Sequence, residues 1–127
     1  MTEAKRGAMD SRRLAATAAL AASSKQAEGI SVIDVRELIT ITDYFVICSG
    51  ASERQVDTIA DEVVRELKAM NVPPVRREGE SGARWQLIDF VDLVVHVFSE
   101  EARAFYRLET LWADAPVVDW EREAAAS

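Results

Sequence analysis

Two carboxylates, Asp89 and Asp92, lie close enough in the chain to suggest a metal clamp for nucleotidyl transfer, a reaction that commonly uses paired acids to hold metal ions. Residues three apart point to opposite faces of a strand, so this pair converges only if a turn intervenes. Phe90-Val91 is short enough to be that turn, and the plainer reading, a turn acid beside a strand-end acid, is preferred. Ser49-Gly50-Ala51-Ser52 lies between an apolar run and a helix start, where backbone amides can cradle a phosphate. A lone glycine, no following lysine and the adjacent Glu53 argue instead for a structural turn. Cys48 sits in an apolar run without a neighbouring base or cation, which marks a core thiol rather than a nucleophile. With one cysteine and one histidine in the chain, the usual zinc ligand sets are out of reach. The residues therefore assign no catalytic group, no metal and no cofactor.

A second set of residues suits recognition. Trp85, Leu87 and Asp89 share one face of a strand by period two, and an aromatic beside an acid on a sheet face fits an interface anchor. His96 interrupts the run Val94-Val95-His96-Val97-Phe98, either as a half-buried, hydrogen-bonded side chain or as a contact residue on a partner-facing sheet surface. Arg103 and Tyr106 lie three apart on the final helix, off the stripe of Phe105 and Leu108, and tyrosine with arginine is the pair enriched at binding hot spots.

These groups need a scaffold. Asp10 or Ser11 can cap a first helix running to about Ala27, with Leu14, Ala18, Ala21 and Ala22 on one stripe and Gly29 as a left-handed stop. Ile30 to Val35 is rich in β-branched residues, and Tyr44 to Cys48 is a continuous apolar run, so both read as strands, the second buried on both faces. Ser52-Glu53-Arg54-Gln55 matches a capping box and opens a helix whose inner face is Val56, Ile59, Ala60, Val63, Val64, Leu67 and Met70. Asp61 and Arg65 are spaced as an exposed pair on its other side, and Asn71 with Pro73-Pro74 ends it. Val75 to Glu78 fits a short edge strand, and Trp85 to Asp89 and Leu93 to Phe98 fit two strands in a tight antiparallel connection. Ser99 caps a last helix with Phe105, Leu108, Leu111 and Trp112 facing inward. The order helix, strand, strand, helix, strand, strand, strand, helix predicts a single α/β domain with a mixed sheet flanked by helices.

Composition bounds the partners. The chain has 127 residues, enough for one core, and its net charge of -7 disfavours binding to nucleic acid through a basic face. With 49% hydrophobic and 29% charged residues it has the balance of a globular protein. The stretch from Ser11 to Ala22 imitates a signal peptide, but it is weakly apolar and preceded by Glu3 and Asp10, so an amphipathic helix explains it better. No run approaches the roughly 20 apolar residues that span a bilayer, and a cytoplasmic protein is expected. Residues 1–9 are expected to be a disordered leader, 10–120 the domain and 121–127 a mobile tail.

Two blocks of the sequence resemble the signatures of the ribosomal silencing factor family, also called Iojap-related. The first is Asp43-Tyr44-Phe45-Val46-Ile47-Cys48-Ser49-Gly50 with Ser52, Gln55, Ile59 and Ala60. The second is Glu78-Gly79, Trp85, Asp89, Asp92 through Phe98, Arg103-Ala104-Phe105-Tyr106, Leu108-Glu109 and Leu111-Trp112. The resemblance implies a nucleotidyltransferase-like fold without that activity and a homodimer in the free state. It also implies docking on the fourteenth protein of the large ribosomal subunit, which blocks joining of the small subunit and represses translation under nutrient limitation. The binding residues it implies are Trp85, Asp89, His96, Arg103 and Tyr106, with Leu87 and Phe98 as apolar neighbours. An acidic chain suits a basic ribosomal protein partner and expects little direct contact with nucleic acid. The alternative from another class is a metal-dependent nucleotidyltransferase-like enzyme using Asp89 and Asp92.

Overall fold

The computed structural model describes residues 3–126, with side chains described from Ser11 to Ala125. Its elements are α1 (Glu3–Ser24), β1 (Glu28–Asp34), β2 (Tyr44–Gly50), α2 (Glu53–Ala69), β3 (Arg76–Glu78), β4 (Trp85–Asp89), β5 (Leu93–Ser99), α3 (Glu100–Tyr106), α4 (Leu108–Leu111), β6 (Val117–Val118) and α5 (Trp120–Ala126). The strands form one six-stranded sheet in the order β3-β4-β5-β2-β1-β6. Only β2 and β5 pair in parallel, and every other neighbour is antiparallel, which makes the sheet mixed.

The central position of β2 follows from its residues. All seven are buried, as the unbroken apolar run predicts for a strand covered on both faces. Alternate side chains divide between two clusters. Tyr44, Val46 and Cys48 join Val32, Val95 and Val97 beneath the alanine-rich stripe of α1 and the Val56, Ile59, Ala60, Val63 and Leu67 face of α2. Phe45 and Ile47 turn the other way, toward Ile33, Val35, Phe98, Ala102 and Ala115, with Trp85, Leu108 and Trp112 packed at the margin. The first face is closed by helices. The second is covered in part, by α3, α4 and the chain that follows them, and stays open over β4, whose residues alternate half-buried and buried.

Ser52 caps α2 as the sequence predicts: its hydroxyl accepts from the Gln55 amide at 3.1 Å. The Gln55 side chain returns the bond one residue earlier than in the standard box, accepting from the Ala51 amide at 2.6 Å, and donates to the Lys25 and Gln26 carbonyls. That last pair of bonds ties the start of α2 to the end of α1. The end of α1 itself falls earlier than Gly29. Ala27 donates to the Ala22 carbonyl and Gln26 takes a left-handed φ of 64°, a Schellman-type stop made without glycine. Gly29 serves β1 instead, where its φ of 56° accompanies an irregular register between Glu28 and Ser31.

Four further expectations are corrected. Asp61 pairs with Arg77 across to β3 at 2.9 Å, and Arg65 with Glu62 and Glu66, so the two are not partners of each other. The final helix is two helices, because Arg107 adopts φ 51° and rotates the second segment out of phase with the first. Leu108 and Trp112 still pack inward, but Phe105 and Leu111 are 78% and 75% exposed. The leader expected at residues 1–9 is already helical from Glu3, and its first two residues lie outside the described ones. The tail expected to be mobile from Glu121 is α5, held against α1 by the Arg12–Glu123 ion pair at 3.0 Å, with Trp120 packed on the core; Ser127 lies outside the described residues. The two-residue β6, antiparallel to β1, was not anticipated.

Candidate functional site

The period-two reading of β4 is the starting point. Gln86 and Ile88 face α2 and are buried, which turns Trp85, Leu87 and Asp89 to the open side, each half-buried. In the antiparallel register Trp85 lies opposite Phe98 and Leu87 opposite His96. Trp85 stacks on Phe98 with centroids 4.8 Å apart and meets Tyr106 of α3 at 4.9 Å. Tyr106 is 51% exposed and contacts the still more exposed Phe105 edge-on at 5.1 Å. The result is a continuous aromatic ridge from the sheet to α3. Beside it, Arg84, Trp85, Glu101, Phe105 and Tyr106 line an open cleft of about 600 Å³.

Six of the seven residues proposed for binding therefore converge, at two depths. Trp85, Leu87, Asp89 and Tyr106 reach the surface. Phe98 is fully buried and His96 is 5% exposed, so they form the floor beneath the ridge. The His96 Nδ1 accepts a hydrogen bond from the Trp85 indole N–H at 3.2 Å, and burial pushes its pKa down to about 4. A ring that accepts at Nδ1 and is neutral carries its proton on Nε2. The half-buried alternative raised for His96 thus resolves to full burial with one hydrogen bond.

Arg103 is the residue the fold does not bring to the ridge. Its guanidinium donates to Glu109 at 2.8 Å, to the Glu28 carbonyl at 3.3 Å and to the Ser49 hydroxyl at 3.4 Å. A Cβ at Gly29 would lie 2.7 Å from that guanidinium, so the glycine leaves room for it. Arg103 locks α3 and α4 to the start of β1 and the end of β2. Conversely Phe105, which the helical spacing predicts to face the core, belongs to the ridge. The adjacent pair Phe105-Tyr106 carried a signal, since consecutive residues on a helix stand about 100° apart and cannot both enter one narrow stripe.

The candidate catalytic groups are engaged elsewhere. Asp89 accepts from the Val91 amide at 2.8 Å and lies 3.8 Å from Arg76, which makes it the anchor of the β4–β5 turn. Asp92 lies at the surface, where desolvation of its carboxylate by the surrounding protein, and secondly the nearby Asp43, raise its pKa. Among the described residues no three His, Cys, Asp or Glu side chains gather as a metal group. In the Ser49 to Ser52 turn, the amides of Ala51 and Gln55 are already taken by side chains of the turn and of α2. Cys48 is buried, and burial pushes its thiol up to about 12.

Fold and site together define a class: small single-domain α/β proteins whose mixed six-stranded sheet is closed by helices on one face and carries an aromatic ridge on the other. The family model described as "Ribosomal silencing factor during starvation" matches residues 8–127. The chain is 42% identical to the ribosomal silencing factor RsfS of Halalkalibacterium halodurans, over 89% of this chain and 97% of that protein. To the RsfS of Bacillus subtilis it is 40% identical, over 87% of this chain and 94% of that one. A crystal structure from Chromobacterium violaceum superposes with a TM-score of 0.76 at 34% identity, covering 79% of this chain and 83% of that chain. This chain belongs to the ribosomal silencing factor family. No described helix is long and apolar enough to cross a membrane.

Proposed function

We propose that this protein binds the large ribosomal subunit through that subunit's fourteenth protein and sterically blocks joining of the small subunit, repressing translation when nutrients are limiting. It acts by occupancy, without catalysis, as a cytoplasmic factor. The observation that carries this reading is the uncovered ridge of Trp85, Tyr106 and Phe105 on a sheet whose opposite face packs against α1 and α2. A half-buried tryptophan and an exposed tyrosine over a packed floor, beside a cleft, are the usual composition of a binding hot spot. Acidic Glu101 in the cleft beside the ridge, in a chain of net charge -7, complements a basic ribosomal protein. In the free protein the same patch pairs with itself in a homodimer and is exchanged for the ribosomal protein on docking. Contact is made by Trp85, Leu87, Asp89, Tyr106 and Phe105. His96 and Phe98 support them from below, and Arg103 fixes the helix that carries Tyr106.

Co-sedimentation of the purified protein with isolated large subunits tests the docking step. Wild type is expected in the pellet and the Tyr106→Ala variant in the supernatant. A wild-type protein that stays in the supernatant, at concentrations equal to the subunits, would remove the reading.

A further inference from the structure

The indole of Trp85 is held on two sides by rings that leave its orientation in plane undetermined: Phe98 stacks on it with planes 28° apart, and Tyr106 leans on it at 47°. Stacking fixes the height of a ring far better than its rotation, because the contact surface is flat. A directional bond is needed to set the rotation, and the structure has one. The Trp85 N–H donates to His96 Nδ1 at 3.2 Å. His96 is not opposite Trp85 but two residues along β5 from its cross-strand partner Phe98, on the same face. Such diagonal neighbours are within reach only of long or aromatic side chains, and the bond forms only when the indole lies along the strand toward His96.

His96 itself is set from three directions. Phe45 of β2 meets it edge-on at 5.0 Å, Phe98 lies nearly parallel to it at 6.2 Å, and Leu87 stands opposite it on β4. These neighbours are uncharged, and Nε2 has no hydrogen-bond partner among the described residues. A purely structural position of this kind is filled at lower cost by phenylalanine, since a buried N–H without a partner is unfavourable. The histidine is therefore more expensive to fold than its site requires, and the one bond it makes is to the ridge.

We propose that His96 is a positioning residue for docking, orienting the Trp85 indole on the open face without touching the partner. This rests on the docking reading given above. Holding a large aromatic in its bound orientation before contact removes an ordering cost from association, so losing the bond lowers affinity although no contact residue changes.

Two variants separate this role from packing. His96→Phe keeps a ring and loses the acceptor. His96→Asn shrinks the side chain but places a carbonyl oxygen where Nδ1 stood. The indole N–H resonance of Trp85, assigned with Trp85→Phe, is read by 1H–15N correlation NMR on the intact protein, and docking by co-sedimentation with large subunits. His96→Phe is expected to shift the resonance upfield, to speed its exchange with solvent and to weaken docking at least tenfold while melting no lower than wild type. His96→Asn is expected to keep the downfield resonance and to dock within about threefold of wild type. A resonance unmoved in His96→Phe, or docking by that variant equal to wild type, overturns the proposal. So does a His96→Asn variant that docks as poorly as His96→Phe. Wild-type protein that leaves large subunits unbound overturns the docking reading itself, and the NMR arm still reports whether the indole is held.

Discussion

Acid should weaken this fold through His96 before it does so through its carboxylates. The imidazole is buried with one neutral hydrogen bond, which pushes its pKa down to about 4, whereas the unfolded chain titrates at the ordinary value of 6.5. Above 6.5 neither state is protonated. Between the two values the unfolded chain binds one proton more, so stability falls as the pH drops through this window and the fall is complete near pH 4. The gap corresponds to about 3 kcal/mol, at roughly 1.4 kcal/mol per unit, against a total of roughly 5–15 kcal/mol for a domain of ordinary stability. Urea unfolding followed by far-UV circular dichroism at pH 7, 5.5 and 4 reads it, with His96→Phe as the comparison. The difference between the two proteins isolates the histidine from groups such as Asp34, which Arg36 holds low by direct hydrogen bonds and which gives up its contribution only below the ordinary carboxylate range. His96→Phe should therefore gain on wild type as the pH falls from 6.5, by about 3 kcal/mol near pH 4. Parallel stability curves for the two proteins across this window would refute the argument that burial keeps the ring neutral.

Three other outcomes follow from the same geometry. Trp85→Ala and Tyr106→Ala should each weaken docking on large subunits by about 2 kcal/mol or more, read by titration in the co-sedimentation assay. Gly79→Ala should lower stability by about 1–2 kcal/mol in urea unfolding, because Gly79 has φ +97° and an added Cβ would lie 2.6 Å from the Trp85 carbonyl oxygen. Ile59→Ala, which opens a cavity between α2 and the sheet, should cost about 2–5 kcal/mol by the same assay.

Sequence patterning read well wherever one element stood alone. The apolar run of β2, the alternation in β4 and the Ser52 cap each depend on local chemistry, and each lies where its residues place it. Errors came where two elements compete for the same residues. The helical period of the sequence runs through Arg107, whereas a single left-handed residue there splits the helix, and Phe105 stands on the surface of the first segment. Gly29 looked like a helix stop because glycine tolerates positive φ, but Gln26 took that conformation and the glycine made room for Arg103. Docking of α5 on α1 depends on a contact between Arg12 and Glu123, more than a hundred residues apart in sequence, which no local pattern encodes.

The site divided along the same line. Period two was enough to bring Trp85, Leu87 and Asp89 to one face, and the register with β5 then set His96 and Phe98 beneath them. What spacing could not convey was depth, since His96 and Phe98 share a face with exposed residues and are themselves buried. Arg103 and Tyr106, three apart on α3, differ by about 60° around the helix, and that angle sends Tyr106 to the ridge and Arg103 to the ends of β1 and β2.

Occlusion of the small subunit is distinct from binding to the large one. Sucrose-gradient sedimentation of large and small subunits mixed under joining conditions, with the protein added to the large subunits first, measures it directly. With wild type the two subunits should stay as separate peaks, with the protein in the large-subunit peak, and Tyr106→Ala should restore the joined ribosome. Joined ribosomes that carry the wild-type protein would contradict occlusion.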